Sequence, residues 1–172
     1  MNLHIDPQPA NLAGGFICGD TKVALMDGHQ TSIADIVEHL HRGVHHAIYA
    51  IHEDGGVHMA RLLNARRMSH DMEVLAVTLD DGAVIHCTPT QSLLGADGSW
   101  VEVRAVKASD ALLTVVDPHL WKSGRLDPEL HAPTEAQRTV VSVLKSPDRA
   151  VYSFDVDQSN NLAHPSGVFL HD

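Results

Sequence analysis

The chain has 172 residues, 44% hydrophobic and 20% charged, a composition that suits one globular domain with enough length to bury a core. Twelve Lys and Arg stand against 22 Asp and Glu, a formal net charge of -10, so the clustered cations that non-specific nucleic-acid binding needs are absent. Two cysteines make no disulfide scaffold, no run nears the ~18 apolar residues that span a bilayer, and no basic-then-apolar leader is visible, so a soluble protein of a reducing compartment is expected.

Residues 1–15 read as an extended N-terminal arm, because Pro7 and Pro9 forbid a helix and Gly14-Gly15 reads as a hinge. From Phe16 onward, short apolar runs are punctuated by Asp-Gly. Lys22–Met26 turns at Asp27-Gly28. Ala47–His52 turns at Asp54-Gly55-Gly56 into Val57–Leu63. Glu73–Leu79 turns at Asp81-Gly82 into Ala83–Cys87, and Ser92–Leu94 turns at Asp97-Gly98 into Trp100–Val103. Asp-Gly between apolar runs is a strong hairpin signal, because the turn needs a positive φ. Asp54 and the Asp80-Asp81 pair are therefore turn residues, not a carboxylate dyad. Only Ser32 to about Arg42 predicts a helix, capped by Thr31 or Ser32, with Ile33, Ile36, Val37 and Leu40 on one face and Gly43 ending it. Pro118, Gly124, Pro128 and Pro133 make 117–137 a surface linker, after which strands resume at Arg138–Leu144, Val151–Val156 and Gly167–Leu170. The fold class is mostly β.

The blocks occur in a familiar order. Gly19-Asp20-Thr21-Lys22-Val23 is followed by Asp27-Gly28 and a short helix. Thr78–Gly82 precedes Ile85-His86-Cys87-Thr88-Pro89. Asp97–Val101 precedes Ala108-Ser109-Asp110. Val151–Val156 precedes Asn160-Asn161-Leu162, and Gly167–His171 closes the chain. No one block is specific, but five in sequence from Phe16 to Asp172 resemble the Hint (hedgehog/intein) family. That resemblance implies a flat β horseshoe over 16–172 that brings both of its ends to one centre. It also implies a reaction. A first Cys or Ser attacks the carbonyl before it, turning an amide into a reactive ester. The histidine of a Thr-x-x-His block protonates the leaving nitrogen, and its threonine helps hold the oxyanion. A terminal asparagine, assisted by the histidine before it, cyclises.

Here the reactive groups depart from that pattern. The first position, three before the Gly of Gly-Asp-Thr, is Phe16. The second-block histidine falls on Gln91, which donates a hydrogen bond but does not titrate near neutrality. The late-block histidine falls on Asn160, and the terminal asparagine is Asp172, which has no nitrogen to cyclise through. Thr88 and His171 remain.

Cys18 is the best remaining nucleophile. It lies two residues past Phe16 and so shares its face in a strand, and it could attack the Ile17 carbonyl in a shifted register. The plainer expectation is that Cys18 and Cys87 are small buried residues. His39, His41, His45 and His46 cluster, with His41 and His45 four apart, but Gly43 interrupts the helix and no cysteine pair accompanies them, so a solvated helix end is expected rather than a metal site. Trp100 and Trp121 are candidate partner anchors; Trp100 suits a core equally well.

These readings converge on a catalytically inactive Hint-type domain, cytoplasmic or in a virion. It would act as a structural, assembly or binding module, and the family's occurrence in phage proteins suggests an accessory protein of a phage particle. A protein partner or second copy would engage residues 1–15 and Trp121. No cofactor, metal, membrane, nucleic acid or small-molecule substrate is expected. The alternative is a self-cleaving domain that uses Cys18, with Thr88 and His171 as helpers.

Overall fold

The computed structural model describes Ile5 and residues 15–114, 136–158 and 160–171. Fourteen strands and one α-helix are present among the described residues. They are β1 (Ile17–Cys18), β2 (Lys22–Ala24), β3 (Gln30–Ser32), α1 (Ile33–His41), β4 (Ala47–Ile51), β5 (Val57–Arg67), β6 (Met72–Leu79), β7 (Val84–Cys87), β8 (Ser92–Leu94), β9 (Trp100–Glu102), β10 (Ala111–Thr114), β11 (Ala136–Arg149), β12 (Val151–Val156), β13 (Asn161–Ala163) and β14 (Phe169–His171). An eight-stranded sheet runs β10-β11-β6-β7-β1-β12-β5-β4, and a four-stranded one runs β13-β14-β8-β9. All the paired strands are antiparallel. Bridges Gly95–Leu112 and Thr114–Val168 tie the two sheets together.

The expected Asp-Gly hairpins form, and one device recurs in them. Each aspartate Oδ1 accepts the backbone N–H two residues on: Asp27 from His29 (2.9 Å), Asp54 from Gly56 (2.8 Å), Asp81 from Ala83 (3.0 Å) and Asp97 from Ser99 (3.0 Å). The side chain thus imitates a turn of backbone, while glycine supplies the left-handed conformation, as Gly82 does at φ 86°. α1 starts where Ser32 Oγ accepts the Asp35 N–H at 3.2 Å. It ends in a Schellman closure: the Gly43 N–H reaches Leu40 O (3.0 Å) and the Val44 N–H reaches His39 O (2.9 Å), with Gly43 at φ 77°.

The main core lies between the sheets and α1, around Ile17, Ile33, Ile36, Leu62, Leu79, Ile85, Leu93, Phe154 and Leu170. Full burial of each such side chain contributes about 1.5–3 kcal/mol. A second cluster joins Tyr49, Ile51, Leu94, Leu113 and Phe169, and Ile5 of the arm belongs to it. The Ile5 N–H donates to Glu53 O at 2.8 Å, so the arm is pinned to its own chain at this point.

The structure departs from the expected elements in length. β11 begins at Ala136, so Ala136 and Gln137 belong to a strand, paired with Thr114 and Leu113, rather than to the linker; residues 115–135 lie outside the described residues. β11 also runs past Pro147 to Arg149. Proline has no N–H for the ladder, and the strand accommodates it with a register shift between Ser146 and Arg149.

Candidate functional site

β1 is the hub of the centre. It pairs with β12 on one side and β7 on the other, with Ile17 opposite Tyr152 and Cys87. This places the Gly15–Phe16 peptide over the residues that follow β7. The Phe16 N–H donates to Thr88 Oγ1 (3.0 Å), and the Thr88 N–H donates to Phe16 O (2.9 Å). Thr88 Oγ1 also reaches Phe16 O at 3.4 Å and Thr90 Oγ1 at 3.2 Å. Thr88 thus holds both backbone groups of Phe16.

Gln91 is fully buried and joins the two ends of the domain. Its Nε2 donates to the carbonyl of His171 in β14 and to Ser92 O. On its other side it meets Gly15 so closely that a Cβ added there would lie 2.4 Å from Gln91 Cα and 2.8 Å from its Oε1. That oxygen is buried and accepts no hydrogen bond among the described residues. Placing a methyl group at position 15 therefore forces backbone apart, and Gly15→Ala is expected to cost about 1–3 kcal/mol. A chemical-denaturation midpoint shifted by that amount, with the slope unchanged, is the result that checks it.

His171 is buried opposite Ser92 and Asn161, with the Trp100 ring edge-on to it at 5.3 Å and 70°. Trp100 is half-buried and packs against the second core cluster. Trp121 and Asp172 lie outside the described residues. Asn160 is exposed, with a left-handed φ of 49°, and no described contact brings it to the centre. Its neighbour Asn161 does the structural work. Its Oδ1 accepts the Ile51 N–H (2.9 Å) and its Nδ2 donates to Ile51 O (3.0 Å), clamping the end of β4. Nothing in the sequence pattern marked Asn161 for that role.

Cys18 and Phe16 do share a face, as the period-two spacing requires. That face is apolar: the thiol sits fully buried with Val74 and Val151, against Phe16, Met68 and Met72. Burial pushes its pKa up to about 11; Arg149 lowers it and Asp20 raises it, each less than burial. About 10⁻⁴ of such a thiol is thiolate at neutral pH, the form that attacks. Cys87 is also fully buried, on the core side of the sheet, and burial raises its pKa still further.

Several solved inteins share this fold. A DnaB mini-intein variant, M86, superposes with a TM-score of 0.72 over 92% of this chain and 94% of its own, at 18% identity. The DnaB intein from Synechocystis sp. PCC 6803 gives 0.71 over 92% and 98%, at 18% identity. The chain has the intein-type Hint fold. The DnaX mini intein from Spirulina platensis shares that Hint fold with a TM-score of 0.69, at 17% identity over 91% and 99%. One curated relative, the DNA gyrase B protein of Synechocystis sp. (strain ATCC 27184 / PCC 6803 / Kazusa), is 37% identical over 101 residues. The match takes in 59% of this chain, which spans 9% of that much longer protein. No family model matches the chain.

In Hint terms, the order of the sequence blocks and the geometry meet at one place. Thr88 and Gln91 meet the Gly15–Phe16 peptide, and Gln91 links it to the carbonyl of His171, whereas Cys18 faces an apolar cluster and Asn160 faces solvent. Among the described residues no helix is long and apolar enough to cross a membrane.

Proposed function

We propose that this Hint-fold domain is catalytically silent and serves as a structural, assembly or binding module. Gln91 carries this reading. It occupies the position from which a histidine would deliver a proton, yet its carboxamide is tied to His171 O and does not titrate. Phe16 at the first position brings no nucleophile, and the nearest thiol is buried in an apolar wall. What the sequence retains is the scaffold: hairpins pinned by aspartates, two core clusters and a join between the two ends. The arm's Ile5 is anchored in cis, so a partner would engage the surface of a preformed unit. The particular setting we propose is a larger assembly such as a phage particle, with Trp121 and the arm residues 1–15 other than the buried Ile5 facing the partner.

Thiol reactivity checks the chemical half of this reading. Iodoacetamide is expected to label neither Cys18 nor Cys87 in the folded chain and both in denaturant. Rapid labelling of Cys18 under native conditions would instead favour self-cleavage through that residue.

A further inference from the structure

The histidines singled out by their spacing are rearranged by the fold. Gly43 ends α1, so His41 and His45 form no helical pair. Instead His39, in the last turn of α1, meets His46, just before β4. His39 Nδ1 and His46 Nε2 lie 2.8 Å apart, a hydrogen bond between two half-buried histidines whose ring centroids are 5.0 Å apart. One of the two nitrogens carries a proton and the other accepts it. The bond bridges an exposed connection, residues 41–45. On the helix side, the Schellman closure ties Gly43 and Val44 back to α1. On the strand side, the Leu62 N–H reaches His46 O at 3.3 Å and the Met26 N–H reaches Ala47 O at 2.9 Å. Among the described residues, the imidazole pair is the side-chain hydrogen bond that joins the two sides.

Such a bond counts protons. A neutral pair keeps it, and a pair with one extra proton keeps it in charge-assisted form. A second extra proton turns both facing nitrogens into donors and sets two cations against each other. The groups around the pair do not offset this. On the helix side stand Glu38, His41 and Arg42, and the connection carries His45. Across the seam, Arg61 of β5 stands opposite Ala47. The turn between β2 and β3 brings Asp27, whose pull favours a cation at His46 but whose carboxylate also pairs with His29 Nδ1 at 3.1 Å. Histidines are the side chains here that gain charge in mild acid, so acidification adds only positive charge. Burial, then His39, lowers the His46 pKa; Asp27 opposes them and His45 adds to them.

We propose that His39 and His46 form an acid-opened latch, which fastens the end of α1 to the start of β4 at neutral pH and releases that turn when the pair takes its second proton. The closed pair holds at most one extra proton and the open pair holds two, so opening takes up one proton. Opening is therefore favoured as pH falls, by at most about tenfold per pH unit. The latch is closed above the ordinary histidine value of about 6.5. It opens below that value, because both burial and the facing ring resist the second charge. What opens is local: the last turn of α1 and the connection to β4, not the sheets.

Hydrogen exchange of the full chain, read by mass spectrometry at about pH 7.5 and about pH 5 and corrected for the intrinsic pH dependence of exchange, tests this. Protection of the amides of residues 40–44 is expected to fall by about tenfold or more at the lower pH, with β6 remaining the better protected, as local opening requires. His46→Gln offers His39 a carboxamide that donates or accepts without titrating, and is expected to hold the protection of residues 40–44 at both pH values. His46→Ala is expected to show the weaker protection already at the higher pH. The inference is overturned if residues 40–44 of the unmodified chain keep their protection in acid, or lose it only in step with β6. It is equally overturned if His46→Gln loses as much protection as the unmodified chain.

Discussion

Stability is expected to fall by about 3 kcal/mol between pH 6.5 and pH 4, through His164. This residue sits in the hairpin between β13 and β14 and is buried. Its Nδ1 accepts the Ser166 N–H at 3.1 Å and pairs with Ser166 Oγ at 2.8 Å, which places the ring proton on Nε2. Burial lowers its pKa from 6.5 to about 4, against a smaller opposing pull from Asp81. Above pH 6.5 the imidazole is neutral whether the chain is folded or not. Below it, the unfolded chain takes up the proton and the folded one does not, so stability is lost as pH falls towards the folded value. His58 adds a contribution of the same sign, its pKa lowered by burial and then by His52, against weaker pulls from Asp157, the Gly56 backbone and Asp54. Asp27 and Asp97 act elsewhere, since their pKa values lie below 3.8 and their protonation matters only in stronger acid. His164→Asn keeps an acceptor for Ser166 without a titrating ring. Denaturation midpoints measured across the window should then flatten by most of the expected loss. An unchanged slope in that variant would remove His164 from the explanation.

The second large effect is a gain of chemistry. Phe16→Cys with Gln91→His is expected to cleave the chain after Gly15 when hydroxylamine is added. The cysteine supplies a nucleophile at the residue whose N–H Thr88 already holds. The histidine places a titratable group where Gln91 now presses on Gly15, a proton-transfer role typically worth ~10²–10⁴ in rate. Phe16→Cys alone should therefore be slower by about that factor. The mass of a released peptide of residues 1–15 is the readout. A double variant that folds normally and stays intact would mean that the geometry of the centre, and not only its reactive groups, has been lost.

The hairpins were legible because each rests on local chemistry: an aspartate that bonds two residues ahead and a glycine at positive φ. The helix was legible for the same reason, from Ser32 at one end to Gly43 at the other. Elements that depend on distant partners were not. β10 and the first residues of β11 exist because they pair with each other across the residues between them. β13 is three residues long, and its clamp on Ile51 spans more than a hundred positions. The same distinction holds at the centre. The substitutions at Phe16 and Gln91 could be read from block order. The link from Gln91 to His171, the apolar surroundings of Cys18 and the convergence of His39 on His46 required the fold. Asn160 is instructive in the other direction, since its place in a block suggested the centre and the backbone turns it to solvent.

Intact mass of the unmodified chain after prolonged exposure to hydroxylamine and a thiol bears most directly on the claim that a processing scaffold persists without its chemistry. One species with the mass of residues 1–172 is the predicted result. Appearance of a chain lacking residues 1–17, or 1–15, would contradict it.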